Sequence, residues 1–157
     1  MFDVMNAIGG RLQALLEADG GELFPAPGDR VTAIPALYYR NREPRQRNIQ
    51  NPECTPSVLI YRDNGTVGFA PKTGRIVCLW ELYSPYDDGV PGIEVFKRGE
   101  ELLDRADDLM VRVLEQGRAI GAWDLVGDWD VAWGKKGAHP DNYSISEYSI
   151  IAKKTRG

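Results

Sequence analysis

The chain has 157 residues, of which 43% are hydrophobic and 27% charged, and this composition excludes a disordered or fibrous protein. The formal net charge of −4 argues against a domain whose whole surface binds nucleic acid. No stretch approaches the ~18 apolar residues that cross a bilayer, and Cys54 and Cys78 do not make a disulfide framework, so we expect one unexported domain over residues 1–157 in a reducing cytoplasm.

The N-terminal third predicts one helix and one strand. Apolar residues at helical spacing over residues 2–16 predict the first helix, which Gly20 and Gly21 end. Residues 30–39 are typical of an extended segment, and Pro35 restricts it to a sheet edge or a bulge. The apolar positions of the predicted helix are Phe2, Met5, Ile8, Leu12, Leu15 and Leu16.

Two strands are predicted in the middle of the chain. Residues 57–62 are β-branched or aromatic, and we expect this strand to end at a tight turn because Asn64-Gly65 favours positive φ. Residues 75–83 are apolar on both faces, so we expect both faces to be covered apart from Glu81 and the strand to lie at the centre of the sheet.

The last third predicts one helix and two strands. Apolar residues recur at i, i+3, i+4 and i+7 over residues 100–116, and acidic residues crowd the opposite face. Trp129, Val131 and Trp133 alternate with polar Asp128 and Asp130, which predicts a strand over residues 128–133. Residues 143–152 form a second Tyr- and Ile-rich strand before a basic tail. The predicted buried positions of the helix are Leu102, Leu103, Ala106, Leu109, Met110, Val113 and Leu114, and its predicted exposed acids are Glu100, Glu101, Asp104, Asp107 and Asp108.

This element order predicts the fold class. Helices and strands are segregated along the chain, which favours an α+β fold with an antiparallel or mixed sheet of about five strands and two helices packed on one face.

The sequence does not supply a catalytic set, so we predict no enzyme, cofactor or metal. The single histidine, His139, lies in a loop marked by glycine and proline, and Cys78 is expected to be a small buried residue. Neither a phosphate-binding loop nor a dinucleotide-binding glycine motif is present.

Two alternatives assign chemistry to acidic or aromatic residues. Asp124, Asp128 and Asp130 do not match a calcium-loop spacing, but a small metal-dependent enzyme using Asp128, Asp130 and Glu147 is one alternative. A small-ligand pocket is another, and its lining would be Trp123, Trp129, Trp133 and Tyr143.

The most distinctive segment, residues 40–48, is arginine-rich and lacks apolar residues. It carries Arg40, Arg42, Arg45 and Arg47, and either a solvated loop or an extended arm over residues 40–54 is consistent with it. Guanidinium groups bind carboxylates and phosphates bidentately. We therefore predict a subunit interface between this arm and the second helix of an adjacent copy, where the partners are Glu101, Asp104 and Asp108.

The element order and local sequence together resemble a known family. The N-terminal amphipathic helix, the segment Ala-Ile-Pro-Ala-Leu-Tyr-Tyr at 33–39, Pro-Ser-Val-Leu-Ile-Tyr at 56–61, the helix at 100–116 and the two closing strands resemble the tail terminator (tail completion) proteins of long-tailed bacteriophages. The resemblance covers nearly the whole chain.

The resemblance implies a structural virion protein that acts at the head–tail junction after assembly in the host cytoplasm. Such a protein forms a homo-oligomeric ring, expected to be a hexamer, that caps the tail tube, ends tail polymerisation and provides the head-joining surface. The implied partners are a second copy, the tail tube protein and a head-completion or connector protein, with DNA as a further partner if it passes through the lumen; no membrane is involved. Another neck or tail-tube subunit is the nearest alternative.

Overall fold

The computed structural model describes residues 1–18, 36–39, 57–86, 89–137 and 142–156. Two helices and six strands lie in this part of the chain: α1 (Phe2–Ala18), β1 (Ala36–Tyr39), β2 (Ser57–Thr66), β3 (Thr73–Tyr83), α2 (Gly92–Glu115), β4 (Ala119–Ile120), β5 (Trp123–Lys136) and β6 (Tyr143–Lys154). The sheet order is β1-β2-β3-β6-β5-β4. β1 pairs with β2 in parallel and the remaining neighbours are antiparallel, so the sheet is mixed and the predicted α+β class is confirmed.

Both helices contribute to a single hydrophobic core on one face of the sheet. The strand residues that point toward them alternate along β2, β3 and β6, as the pleat of a strand requires. Cys78 and Trp80 of β3 are fully buried at the centre of this face. The sheet and helix residues of the core include Val58, Ile60, Ile76, Leu82, Tyr148, Ile150, Leu12, Leu16, Leu103 and Leu109.

α1 is the predicted first helix, with a different buried stripe from the one expected. Val4, Ile8, Leu12 and Leu16 recur every four residues and are buried, because residues at i and i+4 share one helix face. Phe2, which was predicted to face the core, is 62% exposed. The prediction for Phe2 is therefore wrong, and Val4 takes its place.

α2 buries every residue of its predicted apolar stripe, but it begins eight residues before the predicted start at Glu100. Pro91 precedes its first turn, and the early turns carry Ile93 and Phe96 on the outside, so they lack the apolar stripe from which the helix was recognised. Gly99 is buried where α2 crosses β6, and a β-carbon there would lie 2.6 Å from the Ser144 hydroxyl oxygen. The glycine therefore lets the helix lie close on the sheet.

β2 does not end at Asn64-Gly65, and this prediction is wrong. The strand continues to Thr66, Gly65 pairs with Gly74, and the register shifts between Arg62 and Gly65. Gly65 is not among the glycines with positive φ. A β-carbon at Gly65 would lie 2.1 Å from the Thr73 carbonyl oxygen, so the glycine is needed for close strand approach and the connection to β3 lies at residues 67–72.

β3 is a central strand, as predicted, since β2 and β6 flank it. Ile76, Cys78, Trp80 and Leu82 face the helices and are fully buried. The expectation that Glu81 is left uncovered is wrong, because its residue exposure is 5%. β1 lies at an edge of the sheet, as predicted from Pro35; residues 30–35 lie outside the described residues.

β5 begins five residues before the predicted strand at 128–133 and contains a bulge between Val126 and Asp130. Gly127 has a φ of +81°, a conformation that glycine adopts without a side-chain penalty. The two-residue strand β4 was not predicted and pairs only with Trp123 and Asp124. Within the described residues, neither helix is long and apolar enough to cross a membrane.

Candidate assembly surfaces

The predicted interface has one half in the described part of the chain. Arg40, Arg42, Arg45 and Arg47 lie outside the described residues, as do Cys54 and His139. The acidic half lies on α2. The proposed contact between the two halves therefore stays a prediction.

Three predicted interface acids form an exposed row on α2. Glu101, Asp104 and Asp108 are separated by three and four residues, so they share the helix face opposite the buried stripe. Each is exposed, and no described residue forms an ion pair with any of them. This row, which we call the acidic face, is available to a cationic partner.

The other two acids that were predicted to be exposed on α2, Glu100 and Asp107, differ from this row. Asp107 is half-buried and accepts a hydrogen bond from the Tyr148 hydroxyl of β6, so its prediction as an exposed acid is wrong. Burial, together with this hydrogen bond, raises the pKa of Tyr148 well above its ordinary value, and the phenol stays protonated as a donor. Glu100 lies 4.0 Å from the Lys135 ammonium nitrogen. The hydrogen bond between Asp107 and Tyr148 therefore holds α2 against the sheet.

The three aspartates considered as a cation site lie in separate environments. Asp124 accepts hydrogen bonds at 2.8 Å from Arg156 and Thr155, and these bonds hold the pKa of Asp124 below its ordinary value. Asp128 lies 3.3 Å from an Arg118 guanidinium nitrogen. The described residues contain no group of three or more acids, cysteines or histidines arranged to hold a metal ion.

The alternative trio of Asp128, Asp130 and Glu147 is only partly brought together. Asp130 pairs with Ser149 and Glu147 pairs with Ala132, so both acids point to the sheet face opposite the helices. Asp128 lies within the bulge and its side chain is 94% exposed.

The four aromatic residues considered as a pocket do not line a common cavity. Trp123 belongs to the core, whereas Trp133 is 56% exposed. Tyr143 lies on the opposite sheet face from Trp133, because it pairs with Lys136. Trp129 packs edge-on against Tyr148, with ring centroids 6.4 Å apart, and its indole donates a 2.9 Å hydrogen bond to the Met110 carbonyl.

Cys78 is the buried residue that the sequence predicts. It is a free thiol without solvent exposure, and burial raises its pKa far above the ordinary value. The thiolate form required of a nucleophile is therefore suppressed.

An ion pair between a buried acid and a half-exposed lysine was missed by the sequence analysis. Glu81 accepts a 2.5 Å hydrogen bond from the Lys136 ammonium group, which joins the end of β3 to the end of β5 across β6. The sequence signal for this ion pair was a single acidic residue in an otherwise apolar strand. Its partner is 55 residues away and follows only from the strand order.

Two exposed surfaces were also missed. The β2–β3 connection presents Val67, which is 80% exposed, and Phe69, which is fully exposed. The Lys154 backbone N–H donates to the Lys72 carbonyl at 2.8 Å and anchors the base of this connection to β6. The second surface is the outer edge of β5 from Asp130 to Lys136, which no described strand pairs with.

Comparison with known proteins finds no family model that matches this chain and no curated protein that matches it.

Proposed function

We propose that this protein is a structural virion subunit that forms a ring on the tail tube of a long-tailed bacteriophage, ends tube polymerisation and offers the head-joining surface. The proposal rests on the family resemblance of the sequence, and the observation that best supports it is the acidic face of α2. Glu101, Asp104 and Asp108 are exposed, share one helix face and make no ion pair with a described residue.

A ring requires two different surfaces that complement each other on neighbouring copies. The acidic face supplies one of them. The arginines at positions 40–47 supply opposite charge in the same chain, and a planar guanidinium group suits a carboxylate partner. In this proposal, each copy binds the acidic face of the next through its arginine segment.

The contact can be tested by reversing charge on each side separately. Replacing Glu101, Asp104 and Asp108 together with lysine is expected to abolish ring formation and to leave species no larger than a dimer of 17.5-kDa chains, with an unchanged circular dichroism spectrum, whereas the wild type forms discrete rings. Replacing Glu94 and Glu115, exposed acids near the two ends of α2, with lysine is the control and should leave the rings intact. Sedimentation velocity and negative-stain electron microscopy measure both outcomes.

Mixing makes the test specific. A second variant, with Arg42, Arg45 and Arg47 replaced by glutamate, should also form no rings, but the two reversed variants together should form rings of alternating copies. A mixture that forms no rings would contradict the proposed contact. Long cylinders from the wild-type protein would instead favour a tail-tube subunit, and tight Mg²⁺ binding lost in Asp128→Ala, Asp130→Ala would favour an enzyme.

A further inference from the structure

The outer edge of β5 has the form of an edge to which another β-strand can be added. β5 pairs with β6 without interruption from Asp130 to Lys136, whereas β4 covers β5 only at Trp123 and Asp124. Residues 132–136 are all exposed. An edge strand with unpaired N–H and C=O groups can pair with another strand, and proteins normally protect such an edge.

The residues along this edge are complementary to themselves. In an antiparallel pair centred on Trp133, Asp130 of one copy would lie opposite Lys136 of the other, and Ala132 opposite Gly134. This register creates two ion pairs, places the small residues together and brings the two Trp133 side chains face to face across the two-fold axis. We propose that the 130–136 edge of β5 binds the same edge of a second copy in this register.

The charges available at the edge support this register. Asp130 is exposed and makes no ion pair with a described residue. Lys136 already donates to Glu81, but its side chain is 52% exposed. Because an ammonium group has three N–H donors, Lys136 can bind Glu81 and the partner's carboxylate together.

The apolar contribution comes from Trp133 and its neighbours. Trp133 is 56% exposed although it lies on the sheet face that packs against the helices, because it projects beyond the edge of the core. Beside it, the Lys135 ammonium group lies 4.9 Å from the Phe96 ring centroid, and Phe96 is 49% exposed. Exposed aromatic side chains next to an open strand edge favour a protein partner, since tryptophan is enriched at interface centres.

This contact is independent of the proposed ring. It is isologous, with one surface used twice, whereas the ring contact joins two different surfaces. If both contacts form, rings associate in pairs; if the ring contact is absent, a dimer remains. The test therefore uses as its background the variant Glu101→Lys, Asp104→Lys, Asp108→Lys, in which charge reversal on the acidic face removes the ring contact.

Cysteine cross-linking tests the register. In that background with Cys54→Ser, protein carrying Ala132→Cys is mixed with protein carrying Gly134→Cys under mild oxidation by oxidised glutathione. Directly opposite positions lie within disulfide reach, whereas 132 and its own copy are about 7–8 Å apart, so the mixture should cross-link at least tenfold faster than either protein alone. A β-carbon at Gly134 meets nothing within 4 Å, so the substitution fits.

The control mixture combines Ala132→Cys with Val67→Cys, which is also exposed but lies on the β2–β3 connection. Equal rates in the two mixtures would overturn the proposal. So would a cross-link that forms only within one variant, because it would place the strands in another register.

Charge reversal gives a second measurement without cysteine chemistry. Asp130→Lys places two lysines opposite each other twice in each dimer and should weaken dimerisation at least tenfold in sedimentation equilibrium. Asp128→Lys changes charge equally two residues away, where the side chain is 94% exposed, and should dimerise as the background does. A background protein that stays monomeric at millimolar concentration would show that the bulge and the lysines protect the edge, and would overturn the proposal.

Discussion

Gly65 occupies a point in β2 where two strands approach too closely for any side chain. A β-carbon there would lie 2.1 Å from the Thr73 carbonyl oxygen, a backbone atom that cannot swing away. In the sequence, the same glycine after Asn64 is indistinguishable from a hairpin turn. The Asn64-Gly65 dipeptide permits a tight turn, but the register of β2 on β3 makes Gly65 part of the strand.

Gly65→Ala is expected to lower the free energy of unfolding by about 1–3 kcal/mol, because the strands must separate to admit the methyl group. Urea unfolding followed by circular dichroism measures the loss. Gly68→Ala is the control, since a β-carbon at Gly68 meets nothing within 4 Å, and its stability should stay within about 0.5 kcal/mol of the wild type. Equal losses in both variants would contradict the close approach.

Asp124 makes stability depend on pH at the C-terminal end of the sheet. Hydrogen bonds from Arg156 and Thr155 hold its pKa below the ordinary value of 3.8, so the folded state favours the carboxylate. A carboxylate whose pKa is lowered on folding stabilises the protein above its unfolded pKa, and this contribution is lost as pH falls through the folded pKa.

Asp124→Asn should therefore be less stable than the wild type at pH 6, and the two stability curves should converge as pH falls below about 4. Urea unfolding at intervals between pH 6 and pH 2 measures the difference. Arg156→Met should show the same convergence together with a loss that persists at every pH, because Arg156 also donates to the Gly121 and Trp123 carbonyls. A difference between Asp124→Asn and the wild type that is constant over this range would contradict the linkage.

At the scale of the elements, α1 holds the C-terminal end of α2 through one side chain. The Arg11 guanidinium group donates to the Val113 carbonyl at 3.0 Å and to the Gly117 carbonyl at 2.6 Å. The last carbonyl groups of a helix lack partners within the helix and carry partial negative charge, so a cation is favourable there. Arg11 therefore satisfies the end of α2 and fixes the packing of the two helices.

Arg11→Met keeps most of the aliphatic length but removes both hydrogen bonds, and we expect a loss of about 1.5–3 kcal/mol in the free energy of unfolding. Arg112→Met makes the same chemical change on an exposed position of the last turn of α2, where we expect less than about 0.5 kcal/mol. Arg11→Lys should fall between them, since it keeps the charge and the N–H donors on a shorter side chain. Urea unfolding of the three variants measures this order, and any other order would contradict the role of Arg11.

An element could be predicted from the sequence when its pattern lies within its own segment, and not when it depends on neighbouring strands. The buried stripe of α2 was correct residue by residue, because 3.6-residue periodicity is a local property that packing must respect. Its first two turns were missed because Ile93 and Phe96 are exposed there. The bulge in β5 and the pairing of Glu81 with Lys136 depend on neighbouring strands, and no local pattern reports them.

At the scale of the whole molecule, the sheet has unequal edges. Among the described strands, β1, in parallel with β2, forms one edge, and at the other edge none of them pairs with the 130–136 segment of β5 on its outer side. Segregated helices and strands were sufficient to predict the α+β class. The strand order could not be predicted, because nothing in the sequence places β6 between β3 and β5. The acidic face followed from helical spacing alone, whereas the self-complementary edge required the sheet.

The packing of Trp129 supplies an internal reporter for motion of the longest helix. Its indole N–H donates to the Met110 carbonyl, so the hydrogen is shielded as long as α2 rests on β5. In a nuclear magnetic resonance spectrum, the rate at which this proton exchanges with deuterium measures how often the helix lifts. The exposed Trp133 indole provides the fast-exchanging reference in the same spectrum. Local opening of the α2–β5 contact can thus be followed without a label or a substitution.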